Sequence, residues 1–350
     1  MAGVFFDPRL RELTGAGVLV TGGGGLVGSR IVAQLAALGA KPIVLDRFDA
    51  YPNPVRDLFQ VDQHSVQVVL GDVRERATVT WLAGRADYVI HAAAYADVAA
   101  CTRRPDTAFA ANLHGTQTIL DAVTASSVKR LVFVSSASVY GDGIPMQDGA
   151  ARFAEDQPLT PISVYANTKL WGEHQVRLML GGSGTEYSIV RYFSVYGDPQ
   201  IPKPHSHSWM VPWLALSAHT GRPMRLNGGG HQVRDMVHVE DIAHATLLAL
   251  VTDQAAGQTI NIGTGIPTSV RRIAELIATH YPCAAFVDTP MPEGDPRGGC
   301  ADTRRATDLL GWRPTIALAE GIDRYVNWLR TTPNAIPDWF TAPTAAALAA

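Results

Sequence analysis

The stretch Thr21-Gly22-Gly23-Gly24-Gly25-Leu26-Val27-Gly28 constrains this chain more than any other. It follows the apolar run Val18-Leu19-Val20 and opens a helical pattern with Leu26, Ile31, Leu35 and Leu38 on one face. A strand that ends in such a turn brings bare backbone up to a diphosphate, while the helix behind it supplies N–H donors and a positive dipole end. A Cβ at these glycines would block either the turn or the approach of the phosphates. After Gly39 the run Pro42-Ile43-Val44-Leu45 reads as a second strand, and it ends in Asp46, 24 positions after Gly22. A carboxylate about 20 residues beyond the turn accepts hydrogen bonds from ribose hydroxyls in dinucleotide-binding proteins. A glycine-rich surface loop would leave Asp46 unexplained, so the frame predicts a dinucleotide site.

The first half continues the alternation. Val66–Leu70, Tyr88–His91, Leu131–Ser135 and Tyr187–Arg191 read as further strands, with helical stretches between them, notably 108–126. Apolar strands that alternate with helices imply a parallel sheet covered on both faces. Beyond Tyr196 the alternation fails. A proline-rich segment with His205 and His207 is followed by helical patterns at 241–250, 269–280, 303–310 and 318–329. The histidine pair lacks the spacing of a metal site, and no metal is expected. The fold class that follows is α/β, a Rossmann-type doubly wound parallel sheet with a smaller, discontinuous C-terminal lobe. A dinucleotide domain is expected at 1–193, rejoined by 239–262. The substrate-binding lobe takes 194–238 and 263–330, and 331–350 is expected to be a flexible tail, unless Trp339-Phe340 pins it.

With 350 residues, 47% of them hydrophobic and 17% charged, the chain can bury a sizeable core. Its net charge of −3 gives no footprint for nucleic acid or an anionic membrane. No apolar run approaches the roughly 18 residues of a membrane span. Neither a signal peptide at the start nor a disulfide frame among Cys101, Cys283 and Cys300 is evident, which favours a reducing cytoplasm.

Tyr165-Ala166-Asn167-Thr168-Lys169 puts a phenol and an ammonium four residues apart, on one helix face. A free phenol with pKa of about 10 is a poor base at neutral pH. A nearby ammonium and an oxidised nicotinamide would favour the phenolate. Such pairs arise often by chance, and the position after a nucleotide-binding sheet is what gives this one weight. Ser135-Ser136-Ala137-Ser138-Val139-Tyr140-Gly141 follows the fifth strand. Its hydroxyls either face the ligand crevice or close a turn on their own backbone.

At these residues the chain resembles the extended short-chain dehydrogenase/reductase family, particularly its nucleotide-sugar epimerases and dehydratases. The likeness runs from about Val18 to Leu329 and includes Gly71-Asp72-Val73, His91-Ala92-Ala93-Ala94, Asn112-x-x-Gly115-Thr116 and Arg191-Tyr192-Phe193. Gln232-x-Arg234-Asp235-Met236-Val237-His238-Val239-x-Asp241 and Ala301-Asp302 before Leu310-Gly311-Trp312-x-Pro314 extend it. The resemblance implies Tyr165 as acid/base, Lys169 on the nicotinamide ribose and Ser136 on the reacting sugar hydroxyl. It implies NAD as cofactor, bound by Gly22, Gly25, Leu26, Val27, Gly28, Asp46, Arg47, Asp72, Val73, Ala92, Ala93, Ala94, Asn112, Ser135, Tyr192 and Phe193, besides Tyr165 and Lys169. Asp46 argues against NADP by repelling a 2′-phosphate, whereas Arg47 is the residue that would pair with one. Ser136, Ser194, Arg234, Arg297, Gly299 and Cys300 would face a nucleotide-sugar substrate.

Sugar 4,6-dehydratases of the family carry Asp-Glu after the serine, and decarboxylases usually keep the Glu; here Ala137 and Ser138 stand there. The residues look most like UDP-galactose (UDP-glucose) 4-epimerases. Those enzymes oxidise C4 transiently, let the keto sugar turn, and return the hydride to its other face. A net sugar oxidoreductase is the alternative, followed by a dehydratase or decarboxylase and, last, a non-catalytic NAD-sensing regulator. Three positions depart from the family pattern: Ser194 replaces an Asn, Pro292 an Arg, and Gly299 a bulky Tyr, which is expected to open room for an N-acetylhexosamine. Homodimerisation is implied through helix 108–126 and the Tyr165 helix, near Leu113, Ile119, Leu170 and Leu178.

Overall fold

A computed structural model of the chain describes residues 7–51, 55–59, 61, 66–142, 150–203, 206, 209–291 and 296–341. Fifteen strands occur among them: β1 Gly17–Thr21, β2 Lys41–Asp46, β3 Gln67–Leu70, β4 Tyr88–His91, β5 Arg130–Ser136, β6 Ala151–Phe153, β7 Glu186–Tyr192, β8 Ser194–Tyr196, β9 Met224–Asn227, β10 Val233–Arg234, β11 Met236–His238, β12 Thr259–Ile262, β13 Thr268–Ser269, β14 Phe286–Thr289 and β15 Gly299–Ala301. The helices of the first half are α1 Leu26–Ala37, α2 Arg76–Ala83, α3 Val98–Arg103, α4 Pro105–Phe109, α5 Gly115–Thr124 and α6 Val164–Leu180. Those of the second half are α7 Met210–His219, α8 Val239–Val251, α9 Val270–Ala278, α10 Arg304–Leu310, α11 Leu318–Thr331 and α12 Asp338–Thr341.

Seven strands form one parallel sheet in the order β12-β7-β5-β4-β1-β2-β3. Alternate residues point to opposite faces, as a strand's period of two requires. Val18, Val20, Val44, Ile90, Val132, Val190 and Ile260 pack on one side. Leu19, Ile43, Leu45, Val89, Leu131, Phe133 and Ile189 pack on the other. Both faces are buried, and this makes the strands read as unbroken apolar runs. The chain order reverses between β1 and β4, which places a ligand crevice beyond their C-terminal ends. The seventh strand, β12, lies at the edge beside β7, in register Ile260↔Val190.

A third apolar cluster gathers Tyr196, Leu214, Leu226, Ile273, Ile277, Ile322, Tyr325 and Leu329. The strands of this region pair two by two, β8 with β11, β9 with β14, β6 with β15, and β10 with β13. Three expectations bear on this region and its neighbours. The tail does not fray at Thr331: Phe340 is buried, and Trp213 meets the rings of Trp339 and Phe340. Helix 108–126 is interrupted, since a π-helical turn at Ala110–His114 separates α4 from α5. Ile119, expected at a dimer interface, lies in the core of the monomer.

Candidate active site

The glycine turn is held by close approach of backbone. Gly22 has φ of +73°, and a Cβ there would lie 2.8 Å from the Ala93 main chain. A Cβ on Gly28 would lie 2.1 Å from the Gly22 carbonyl, so α1 presses directly on the turn. The main chain at 92–93 is tied to the end of β1, Ala92 N–H to the Thr21 carbonyl and Ala93 N–H to Thr21 Oγ1, each at 3.2 Å. Gly25 caps α1 without a side-chain hydrogen bond, and Leu26 and Val27 are half-buried beside it. The cradle suits a diphosphate because this close approach of main chain leaves bare backbone at the start of α1.

Asp46 closes this edge. Its carboxylate accepts from Gly24 N–H at 2.9 Å and from Phe48 N–H at 2.8 Å. Burial raises its pKa, and those two N–H groups pull it back. Arg47 is engaged by two acids, hydrogen-bonding Asp49 and lying 3.4 Å from Asp72. Asp72 is held in addition by Arg74 at 2.7 Å. Arg47 is therefore not a free partner for a 2′-phosphate. Val73 is buried against Gly115, where an added Cβ would come 2.5 Å from its Cγ2.

At the end of β5 the chain turns through a 3₁₀ helix at Ala137–Tyr140, capped by Ser136, whose Oγ accepts from Ser138 N–H at 3.2 Å and Ser138 Oγ at 3.0 Å. Ser136 closes its own turn, and its hydroxyl also meets the Tyr165 phenol. The α6 helix starts at a Ser163 cap that accepts from Ala166 N–H, and it presents Tyr165 and Lys169 one turn apart. The Lys169 ammonium donates to the Val134 carbonyl at 2.7 Å and lies 5.9 Å from the Tyr165 ring centre. Burial, with 4% of Lys169 exposed, brings its pKa down to about 8. Burial also raises the Tyr165 phenol well above its usual value, and the Ser136 hydroxyl lowers it in part. The ammonium is directed at the β5 backbone, one turn of α6 from the phenol.

On the other side of the crevice, Ser194 begins β8 and Arg234 ends β10. Arg234 Nη1 donates to the carbonyls of Val233 at 2.8 Å and Pro296 at 3.0 Å. Arg297 is brought beside it, since Val233 N–H donates to the Arg297 carbonyl, while the Arg297 side chain is exposed and paired with Asp142 at 3.8 Å. Pro292, His205 and His207 lie outside the described residues. Among the described residues no group of three or more His, Cys, Asp or Glu is placed to hold a metal.

Residues 18–263 match the model of the NAD dependent epimerase/dehydratase family. The chain belongs to that family. NAD is the family's cofactor, and the glycine cradle and Asp46 are the parts of this chain that fit it. A putative UDP-glucose 4-epimerase of Methanocaldococcus jannaschii is 32% identical over 89% of this chain and 98% of its own length. A dTDP-glucose 4,6-dehydratase of Streptomyces antibioticus is 31% identical over 89% of this chain and 92% of its own. The UDP-glucose 4-epimerase of Thermus thermophilus, solved in complex with NAD, superposes with a TM-score of 0.81 at 30% identity, covering 91% of this chain and 100% of that one.

Within this family member a buried polar network, not anticipated from the sequence, lies behind the serine–tyrosine–lysine group. Glu173, with 0% of its side chain exposed, accepts from Ser135 Oγ at 2.6 Å and from Arg191 at 2.7 and 2.8 Å. Burial works to raise the Glu173 carboxyl, but the guanidinium groups of Arg191 and Arg177 and the Ser135 hydroxyl hold it below the ordinary range. Arg191 also donates to Tyr140 Oη at 2.8 Å, and Tyr140 donates to Asn261 Oδ1 at 2.7 Å. The signal was present in the spacing, since Tyr165, Lys169, Glu173 and Arg177 follow one another at four-residue steps along α6.

These bonds also place other residues named from the sequence. Ser135 Oγ donates to Glu173 at 2.6 Å. Asn112 commits its amide to Tyr95 N–H at 2.7 Å, the Tyr95 carbonyl at 3.2 Å and Thr168 Oγ1 at 3.0 Å, so it clamps the segment after β4 to α6. Tyr192 turns toward α8, with its Oη 2.6 Å from Thr246 Oγ1, and Phe193 packs with Tyr140 and Phe153. A Cβ at Gly299 would lie 2.2 Å from the Ala151 carbonyl, because β15 runs close against β6. Gly299 answers to that pairing, and Cys300 beside it is 1% exposed.

Proposed function

We propose that the protein is an NAD-dependent nucleotide-sugar 4-epimerase. The observation that carries this reading is the turn after β5: Ser136 faces Tyr165, and the two residues that follow it, Ala137 and Ser138, have no carboxylate to move the protons of a dehydration. NAD, when bound, accepts and returns hydride at the sugar C4 and sets a positive charge beside the phenol. Tyr165 Oη takes the C4 hydroxyl proton and later returns it, guided by a hydrogen bond from Ser136. Lys169 orients the nicotinamide ribose, and its ammonium, one helical turn from Tyr165, favours the phenolate. Arg234, with Ser194 and Arg297 nearby, supplies the substrate's diphosphate contacts, for which a guanidinium suits by its bidentate geometry. The keto sugar then turns within the site before the hydride returns.

We further propose a homodimer formed on the α4–α5 segment and α6, where Leu178 on α6 is 76% exposed and Phe109 at the end of α4 adds a second apolar side chain. Cys101, Cys283 and Cys300 form no disulfide, which suits a reducing cytoplasm. Among the described residues no helix is long and apolar enough to cross a membrane.

Incubation with UDP-galactose, followed by proton NMR and by absorbance at the nicotinamide band, tests the reaction. The expected result is interconversion with UDP-glucose and no lasting absorbance change. Stoichiometric accumulation of NADH would instead show a net oxidoreductase, and a 4-keto-6-deoxy product a dehydratase. Sedimentation at micromolar concentration tests the dimer, and a monomer there would overturn it.

A further inference from the structure

Lys203 lies in the segment after β8, and none of the motifs above uses it. Its ammonium sits 5.0 Å from the centre of the Tyr51 ring and 5.3 Å from that of Trp209. Tyr51 belongs to the segment that follows β2 and Asp46, and Trp209 caps α7. The two segments are tied together, since Tyr51 Oη donates to the Ile201 carbonyl at 3.1 Å while its ring packs against Phe59. A cation from the second half of the chain is thus held at the cofactor edge of the first.

Three carboxylates act on Lys203, those of Asp97, Asp49 and Asp46. Each has other partners: Asp97 caps α3 through Ala100 N–H, Asp49 takes Arg47, and Asp46 takes Gly24 and Phe48. Burial lowers the Lys203 pKa, and the three acids pull it back up. A compact ammonium is strongly hydrated, and two aromatic faces replace only part of that hydration. The glycine turn itself offers N–H groups and no side-chain cation. Arg47 is paired with acids, and Arg30 donates to the Phe59 carbonyl and approaches Glu240 at 3.9 Å. An anion at this edge would find Lys203 as its counter-charge.

We propose that Lys203 is a cofactor-retaining residue, its ammonium set by Tyr51 and Trp209 to meet the diphosphate of the dinucleotide cradled at Gly22–Gly28. The inference rests on NAD as the cofactor and is independent of the epimerase reading. In the full chain, NAD⁺ affinity and release are measured for wild type, Lys203→Met and Lys203→Arg at low and moderate salt, and UDP affinity is measured separately. Lys203→Met keeps the stem and removes the charge; it is expected to weaken NAD⁺ binding by roughly tenfold or more and to flatten its salt dependence. Lys203→Arg is expected to stay within about threefold of wild type, with UDP affinity and the melting temperature of the cofactor-free protein unchanged in both variants. Unchanged NAD⁺ affinity in Lys203→Met overturns the proposal. So does a loss that falls on UDP, which would place the ammonium at the substrate, or a drop in melting temperature, which would make the aromatic contact structural only.

Discussion

Gly28 and Gly299 are glycines for the same physical reason, yet only one of them could be read. In each, a Cβ would strike a carbonyl oxygen, that of Gly22 at 2.1 Å in the first case and that of Ala151 at 2.2 Å in the second. The Gly22 carbonyl is six residues before Gly28, inside one strand–turn–helix unit, so the pattern of residues records the contact. The Ala151 carbonyl comes from a distant part of the chain, on a three-residue strand that β15 joins only after folding. Local geometry leaves a motif behind; a long-range pairing of short strands does not. The Gly299 contact is of the second kind, and the residue pattern does not record it.

The largest effect belongs to the region where local pattern suffices. Tyr165→Phe should lower turnover by roughly 10²–10⁴-fold, the usual worth of a positioned acid/base, and leave NAD⁺ affinity nearly intact. Steady-state kinetics and a binding titration on the same preparation check both halves. Wild-type turnover in the variant would mean that another group moves the proton.

Legibility fell off with contact distance elsewhere too. The six strands from β1 to β7 on the main sheet announced themselves as apolar runs, five of them because both faces are buried and β3 although it lies exposed at the sheet edge. The seventh, β12, carries Thr259 and Asn261 alternating with its two isoleucines and shows no comparable run; only the pull of its place in the order suggested a return to the sheet. Tyr165 and Lys169 were visible as a pair, whereas the roles of Ser135 and Asn112 were not. Their hydrogen bonds go to Glu173, Tyr95 and Thr168, and which polar group a side chain finds depends on how strands and helices meet.

Glu173 extends the comparison to a residue with no motif of its own. Removing one partner of a buried, hydrogen-bonded ion pair leaves the other charge unpaired, and Glu173→Ala should destabilise the fold by about 3–5 kcal/mol in denaturant unfolding at pH 7. The wild-type carboxyl is held below its unfolded value, so its contribution is complete above about pH 4.3 and fades as pH falls through the lower folded-state pKa. The gap between wild type and variant should therefore narrow on acidification. A gap that widened toward acid pH would contradict the ion pair.

The two glycines can be set against each other directly. Gly28→Ala and Gly299→Ala should each cost about 1–3 kcal/mol of stability, the usual range for forcing a methyl into packed surroundings. Only Gly28→Ala should also weaken NAD⁺, because α1 would be pushed off the turn. Gly299→Ala should leave the ratio of kcat/KM for UDP-galactose and UDP-N-acetylgalactosamine where it is. A stable Gly299 variant with a reversed preference would restore that residue to the wall of the sugar pocket.

The smallest expected effect concerns Arg47, the one residue whose local position pointed to two opposite cofactors. An arginine just after the second strand would suit a 2′-phosphate, and Asp46 would repel it. In the folded chain Arg47 hydrogen-bonds Asp49 and lies 3.4 Å from Asp72, with half of its side chain exposed. Asp49→Asn removes one of those anchors. Exposed pairs of this kind are worth about 0–1 kcal/mol, so freeing the guanidinium should raise NADP⁺ affinity by no more than about fivefold. Asp46 would still face the 2′-phosphate with its carboxylate fixed by Gly24 and Phe48, and NAD⁺ should remain the tighter ligand. Parallel titrations of wild type and variant with the two cofactors measure this. A variant that preferred NADP⁺ would show that Arg47, and not Asp46, sets the choice, and that the carboxylate's repulsion is weaker than its place beside the glycine turn implies.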